Sequence, residues 1–215
     1  MSSSRQTQIR YNRTAPWYTF LNALYFLGRD RGYRQQLVER LNLNSDAITL
    51  SSCVGTATDF PYILEKTQNP HALIGLDSSP TMIRQVYSHD VLGVNLIVCS
   101  ITQLPFRNTV FSGAVVTFCL KLITRPGKAL KEIARILRAG HRLGILANHP
   151  PHLPNRHLVA MFTKIVGLFA KVNFALDLKP LISSFFKIVG DDFLYLNLVR
   201  RYICEVPASP LNRRD

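Results

Sequence analysis

The chain has 215 residues, enough for one domain with a full core, and 47% of them are apolar, which is ordinary for a globular protein. Lys and Arg number 26 against 13 Asp and Glu, and residues 91–176 hold eleven of the basic residues and a single acid, Glu132; such a field draws anionic partners such as acidic lipid headgroups, nucleic acid or an anionic substrate. Cys53, Cys99, Cys119 and Cys204 are scattered without a C-x-x-C pair, which argues against a disulfide framework and a zinc site and points to a reducing compartment.

No repeat or low-complexity linker divides the chain, so residues 1–215 are expected to form a single domain. The Ser- and Arg-rich start reads as a basic terminus, with no secretory pattern. Residues 16–28 predict an aromatic-rich helix and 30–42 a more polar one, together an N-terminal helical part over 1–45. A strand is expected at 47–52, then a loop of small residues at 53–58 and a helix at 59–67. A second strand follows at 72–77. Pro80 sits in the first turn of a helix over 79–89.

Strands are expected at 94–99, 111–118 and 142–147. An amphipathic helix over 126–138, closed by Gly140, precedes the last of them. Strands alternating with helices argue for a parallel sheet with right-handed crossovers over 46–150. Residues 151–184 read as helical, a lid or an interfacial segment. Runs at 185–189 and 195–206, joined by Gly190, Asp191 and Asp192, predict a closing antiparallel hairpin over 185–208.

An open parallel sheet binds ligands beyond the carboxyl ends of its strands. The first strand ends in Ser51, Ser52, Cys53, Val54, Gly55, Thr56 and Ala57, small residues that let backbone N–H groups approach a ligand. The second ends in Asp77, 22 residues after Gly55, the interval at which a carboxylate accepts from ribose hydroxyls. Capping of the following helix is the alternative role for Asp77.

With these residues in place, the chain resembles the class I S-adenosylmethionine-dependent methyltransferases, and most of all the quinone-biosynthesis C-methyltransferase (methyltransferase type 11) group and its lipid-methylating relatives. The similar segments are YNRTAPWY at 11–18, DRGYR at 30–34, LIGLDSSPTM at 73–82, LPF at 104–106 and KALKEIARIL at 128–137. The resemblance implies a doubly wound, mostly parallel seven-stranded sheet of the Rossmann-like methyltransferase fold, with the antiparallel hairpin at its C-terminal end. It implies S-adenosylmethionine as cofactor, held by Ser51, Cys53, Gly55, Asp77, Ser78, Met82, Ser100, Ile101 and Phe118. No metal site is expected from the sequence.

The chain departs from the family mainly in that pocket. The acid that ends the first strand is Ser51, and the three glycines of Gly-x-Gly-x-Gly become Cys53, Gly55 and Ala57. The acid that meets the adenine amino group becomes Ser100, two further acids become Ser112 and Arg125, and a glycine becomes His141. Loss of the two acids nearest the cationic cofactor, at Ser51 and Ser100, is expected to weaken its binding by about 1–3 kcal/mol each.

His149 and His152 follow the fifth strand, where a histidine accepts a proton from a phenol, enol or carbon acid; a loop histidine held among Pro150, Pro151 and Pro154 is the alternative. Cys53 and Cys119 are expected at neighbouring strand ends, either as a reactive thiol pair or packed as small apolar residues. Trp17, Tyr18 and Tyr25 either cover the pocket or pack on the core.

The segment 157–176 is apolar at spacings of three and four, with Lys164 and Lys171 on one side, and fits an interfacial helix on an anionic membrane, a lid, or a core helix. Lys128, Lys131, Arg135 and Arg138 form a solvated face without aromatic platforms, which argues against a nucleic-acid partner. The expectation is methyl transfer to a lipophilic small molecule, quinone-like or lipid, by a cytoplasmic protein that associates peripherally with a membrane. The alternative is a non-catalytic protein of the same fold serving as a binding or assembly subunit. The sequence sets no oligomeric state.

Overall fold

The computed structural model describes residues 29–87, 93–150, 157, 161, 164, 172–195 and 197–208. The expected first helix with Trp17, Tyr18 and Tyr25, the segment 11–18, His152 and most of 157–171 lie outside the described residues.

The sheet is built from β1 (Thr49–Ser52), β2 (Leu73–Asp77), β3 (Asn95–Val98), β4 (Phe111–Thr117), β5 (Leu137–Asn148), β6 (Lys187–Leu194) and β7 (Val199–Glu205). Their spatial order is β3-β2-β1-β4-β5-β7-β6. The first five run parallel, and β7 pairs antiparallel with both β5 and β6. The helices are α1 (Asp30–Glu39), α2 (Phe60–Thr67), α3 (Pro80–Tyr87), α4 (Pro126–Ile136) and α5 (Leu178–Ser183). This is the doubly wound α/β fold that the alternating pattern predicts.

The two faces are covered by different helices. Leu130, Ile133 and Ile182 of α4 and α5 pack with Ala114, Val116, Leu143 and Ile145. Leu37, Phe60, Ile63 and Val86 of α1, α2 and α3 pack on the other face with Val115 and Leu146. Residues 114–116 therefore alternate between two cores, which is why β4 reads as an unbroken apolar run. Gly75 lets α2 sit close, because a Cβ there would come within 2.6 Å of the Phe60 ring.

The α4–β5 junction and the hairpin turn differ from expectation. Helix α4 ends at Ile136 because Leu137 already pairs with Phe111, which lengthens β5 and leaves Gly140, at φ +76°, inside the strand. The hairpin turns between Leu194, where β6 ends, and Val199, where β7 begins, and not at Gly190, Asp191 and Asp192, which belong to β6. Those two aspartates are cross-strand partners: Arg200 donates to Asp191 at 2.8 and 2.9 Å, and Arg201 to Asp192 at 3.0 Å. Gly190 faces Ile203 at a register shift. A sequence that looks like a turn is thus a bulged, ion-paired strand.

Candidate functional site

All five parallel strands end on one edge, and β7 begins there. Along that edge stand Asp77 of β2, Cys53 after β1, Cys119 after β4, His149 after β5 and Arg200 of β7. The chain leaves β1 toward α2 on one face and β4 toward α4 on the other, so the crevice of the fold lies between β1 and β4.

The β1 loop keeps a glycine-like backbone with only one of its three glycines, Gly55. Cys53, Gly55 and Ala57 have φ of +58°, +53° and +58°, a region that costs a residue with a Cβ roughly 1–2 kcal/mol. The loop is held by Val54 N–H on the Leu76 carbonyl at 3.1 Å and by Gly55 N–H on Asp77 Oδ2 at 3.2 Å. Asp77 Oδ1 accepts from Ser79 N–H at 2.9 Å. Asp77 therefore caps the next turn and ties down the loop at once. Burial raises its pKa, and the backbone donors of Ser79, Gly55 and Ser78 pull it back.

The segment is anchored from behind by a group that sequence reasoning missed. Asp59, 1% exposed, accepts from Arg34 Nη1 at 2.7 Å and from Thr117 Oγ1 at 2.9 Å; Arg34, itself 5% exposed, also donates to Thr117 Oγ1 at 2.7 Å. This buried triad links α1, the end of the loop and β4. Its only trace in the sequence is Asp30 spaced four residues before Arg34, 3.7 Å away in the fold.

Ser51 is fully buried, and its Oγ has no hydrogen-bond partner among the described residues. Ser78 and Ser100 are exposed, and Ser100 Oγ lies 2.9 Å from Thr102 Oγ1. Met82 (1% exposed) and Ile101 (5%) are buried, and Phe118 (5%) packs in the core beneath the Arg34 guanidinium at 5.2 Å. Ser112 lies at the amino end of β4, across the sheet from the site, and His141 lies at that end of β5. Cys53 and Cys119 are joined as a disulfide with their Cα atoms 6.4 Å apart. The parallel pairing of β1 and β4 places these two residues, 66 apart in sequence, at neighbouring strand ends as expected, but as a bonded pair and not as free thiols.

Beyond β5 and β7 a cavity of about 200 Å³ is lined by Lys121, Asn148, His149, Leu176, Arg200 and Tyr202, among others. His149 Nδ1 lies 2.9 Å from the Pro150 carbonyl and 3.1 Å from the Asn197 carbonyl. Carbonyls only accept, so Nδ1 carries the proton and Nε2 keeps its lone pair in the neutral ring. Burial lowers the His149 pKa, and the charges of Lys121 and Arg200 lower it further. Lys121 is also pushed down, chiefly by burial, and its ammonium has no hydrogen bond or ion pair among the described residues. Arg200 is committed to Asp191 and lies 3.6 Å from Asp177. Asn148 Oδ1 is buried without a partner among those residues. The cavity thus offers a neutral base beside an unpaired ammonium.

A methyltransferase-domain family model matches residues 50–145. The demethylmenaquinone methyltransferase of Lactiplantibacillus plantarum is 31% identical over 75% of this chain and 71% of its own length. The ubiquinone/menaquinone biosynthesis C-methyltransferase UbiE of a Geobacter species is 28% identical over 76% and 74%. Among solved structures, geranyl diphosphate C-methyltransferase from Streptomyces coelicolor superposes with a TM-score of 0.64 over 82% of this chain and 79% of that one, at 10% identity, a likeness of fold. Kinship of that degree across three quarters of the sequence, on this strand order, settles the family: the chain belongs to the class I S-adenosylmethionine-dependent methyltransferases, in the quinone-biosynthesis C-methyltransferase group.

Proposed function

We propose that this methyltransferase transfers the methyl group of S-adenosylmethionine to a carbon of a small lipophilic hydroxylated ring, a quinol-like molecule, with His149 as proton acceptor. The observation that carries the reading is the fixed Nδ1–H tautomer of His149, which leaves Nε2 free as a base in a cavity at the end of β5. The names of the relatives, for demethylmenaquinone and for ubiquinone and menaquinone biosynthesis, support the quinol-like class.

The residues present fit the cofactor. The loop after β1 holds the three positive φ values that a glycine-rich loop needs. Asp77 accepts the N–H of Gly55 on Oδ2 and of Ser79 on Oδ1, with Ser78 N–H a third donor, and a carboxylate with about four lone-pair sites keeps acceptor capacity for a ribose hydroxyl. The buried, unpartnered Ser51 Oγ marks the place of a lost acid. Ser51, Cys53, Gly55, Asp77, Ser78 and Ser100 are the residues proposed to hold the cofactor directly, with Met82, Ile101 and Phe118 packing behind them. When bound, S-adenosylmethionine supplies an electrophilic methyl carbon on a sulfonium.

The chain's own part is to make and place the nucleophile. His149 Nε2 takes the proton of a ring hydroxyl, which raises electron density on the adjacent ring carbon. The Lys121 ammonium balances the oxyanion so formed, in a site where burial strengthens the interaction. Leu176, Phe174 and Tyr202 line the cavity and receive the apolar part of the ring.

Calorimetry with S-adenosylhomocysteine tests the cofactor half, and turnover of a reduced demethylated quinone tests the other. Absence of heat and of any thermal shift at millimolar ligand would favour the non-catalytic alternative. A lipophilic substrate also suits peripheral association with an anionic membrane, through the basic field and the apolar segment 157–176. Of that segment Met161 is 55% exposed, and Lys164 is exposed, but Val172 is buried at 7% and is removed from the face; Leu158, Phe162, Ile165, Leu168 and Phe169 lie outside the described residues. No helix among the described residues is long and apolar enough to cross a membrane. Flotation with neutral and anionic vesicles at low salt tests the association, and failure with both removes it.

A further inference from the structure

We propose that Cys53 and Cys119 form a reversible oxidation site that closes the cofactor crevice when bonded and opens it when reduced. The inference rests on the cofactor reading above. The pair lies at the place where the fold binds ligands: Cys53 is the first residue beyond β1, Cys119 the second beyond β4, and these strands flank the crevice. The bond links the carboxyl ends of β1 and β4, the two strands between which the crevice lies, and holds their Cα atoms 6.4 Å apart. It also joins the two segments that must accommodate a ligand, the loop tied to Asp77 by Gly55 and the turn carrying Lys121.

A structural staple is a poor explanation of the pair. The domain has an extensive apolar core on each face of its sheet, and domains of this size do not depend on a disulfide to fold. Cys53 is only partly buried, within reach of small oxidants. Its partner Cys119 is buried at 8% exposure, so an oxidant reaches the pair through Cys53. Cys204 is fully buried and Cys99 partly buried, and neither is paired with another cysteine.

The chemistry balances with a peroxide as oxidant. One thiolate attacks the peroxide oxygen, giving a sulfenic acid and releasing water once the leaving hydroxide is protonated. The second thiol then displaces the sulfenic oxygen as a second water and forms the disulfide, two electrons passing from sulfur to oxygen. A small dithiol reverses the bond by exchange.

The test measures S-adenosylhomocysteine binding by calorimetry on the full chain, once after reduction with a dithiol and once after hydrogen peroxide. Peptide mass mapping verifies the Cys53–Cys119 link in the second sample. We expect affinity at least tenfold weaker in the oxidised protein, recovery on reduction, and no response to peroxide in Cys119→Ala. Cys53→Ala serves as a second variant with the same expected insensitivity should the first fail to fold. Equal affinity of the two verified redox forms overturns the gate while leaving the cofactor reading intact. Binding in neither form, nor in either alanine variant, overturns the cofactor reading and the gate with it.

Discussion

Asp77 Oδ2 accepts the backbone N–H of Gly55 at 3.2 Å, across 22 residues of sequence, so the carboxylate at the end of β2 and the loop after β1 form one unit. Replacement of Asp77 by Ala removes the acceptor proposed for the cofactor and frees the loop together. Loss of a charged acceptor costs about 1–3 kcal/mol, which calorimetry should read as S-adenosylhomocysteine binding weakened roughly 5- to 150-fold. Because burial raises the Asp77 pKa, protonation removes the acceptor at a higher pH than for an ordinary carboxylate. Binding should therefore begin to fall, on acidification, above the usual carboxylate range. Asp77→Asn should be weak at every pH and lack that limb. Unchanged affinity in a folded Asp77→Ala protein would remove Asp77 from the site.

Ser100 follows β3 and is exposed, its hydroxyl engaged with Thr102 alone among the described residues. Ser100→Asp restores an ionised acceptor where the family carries an acid. A charge-assisted hydrogen bond is about twice as strong as a neutral one, so tightening by about fivefold is expected in the same titration. Weaker or equal affinity would mean that the loop from β3 approaches the cofactor by another route.

The order of strands and helices was legible because hydrophobic period and turn residues act locally, and Asp77 was legible because its interval from Gly55 follows from one β-α-β unit. The placing of Cys53 and Cys119 at neighbouring strand ends, and of His149 after β5, was legible from the same strand order. The bond between the two sulfurs was not, nor was the convergence of Asp59, Arg34 and Thr117 from three separate elements. The fixed tautomer of His149 depends on the carbonyl of Asn197, 48 residues away. Gly190, Asp191 and Asp192 misled for the same reason: turn chemistry is local, while the arginines that hold them straight are on β7. Ala57 and Cys53 carry a glycine conformation that side-chain identity conceals.

The buried Arg34–Asp59 pair sets a test of loop anchoring. Arg34→Met removes one partner and leaves Asp59, 1% exposed, without its cation. Breaking a buried pair in this way costs about 3–5 kcal/mol, and thermal or denaturant unfolding should show it as a clear loss of stability. The double variant Arg34→Met with Asp59→Leu should recover part of that loss, since no charge is then stranded. A single variant as stable as the parent would mean that the pair is solvated in solution.

His149 provides the sharpest separation of binding from chemistry. Its Nδ1–H is spent on the Pro150 and Asn197 carbonyls, so only Nε2 can accept a proton, and only while the ring is neutral. Burial together with Lys121 and Arg200 lowers its pKa below the ordinary histidine value. The neutral form therefore persists as pH falls, and the acid limb of kcat should lie below about 6.5. His149→Gln keeps polarity and approximate size but cannot act as a base; kcat is expected to fall by about 10²–10⁴ and to lose that limb. S-adenosylhomocysteine binding should stay at the parent value, because His149 stands at β5 and Asp77 at β2, with β1 and β4 between them. If Lys121 assists by holding the oxyanion, Lys121→Met should lower kcat while the pH limb moves upward, since one of the charges that depresses the His149 pKa is gone. A His149→Gln enzyme with the parent kcat and an unaltered acid limb would assign the proton transfer to another group.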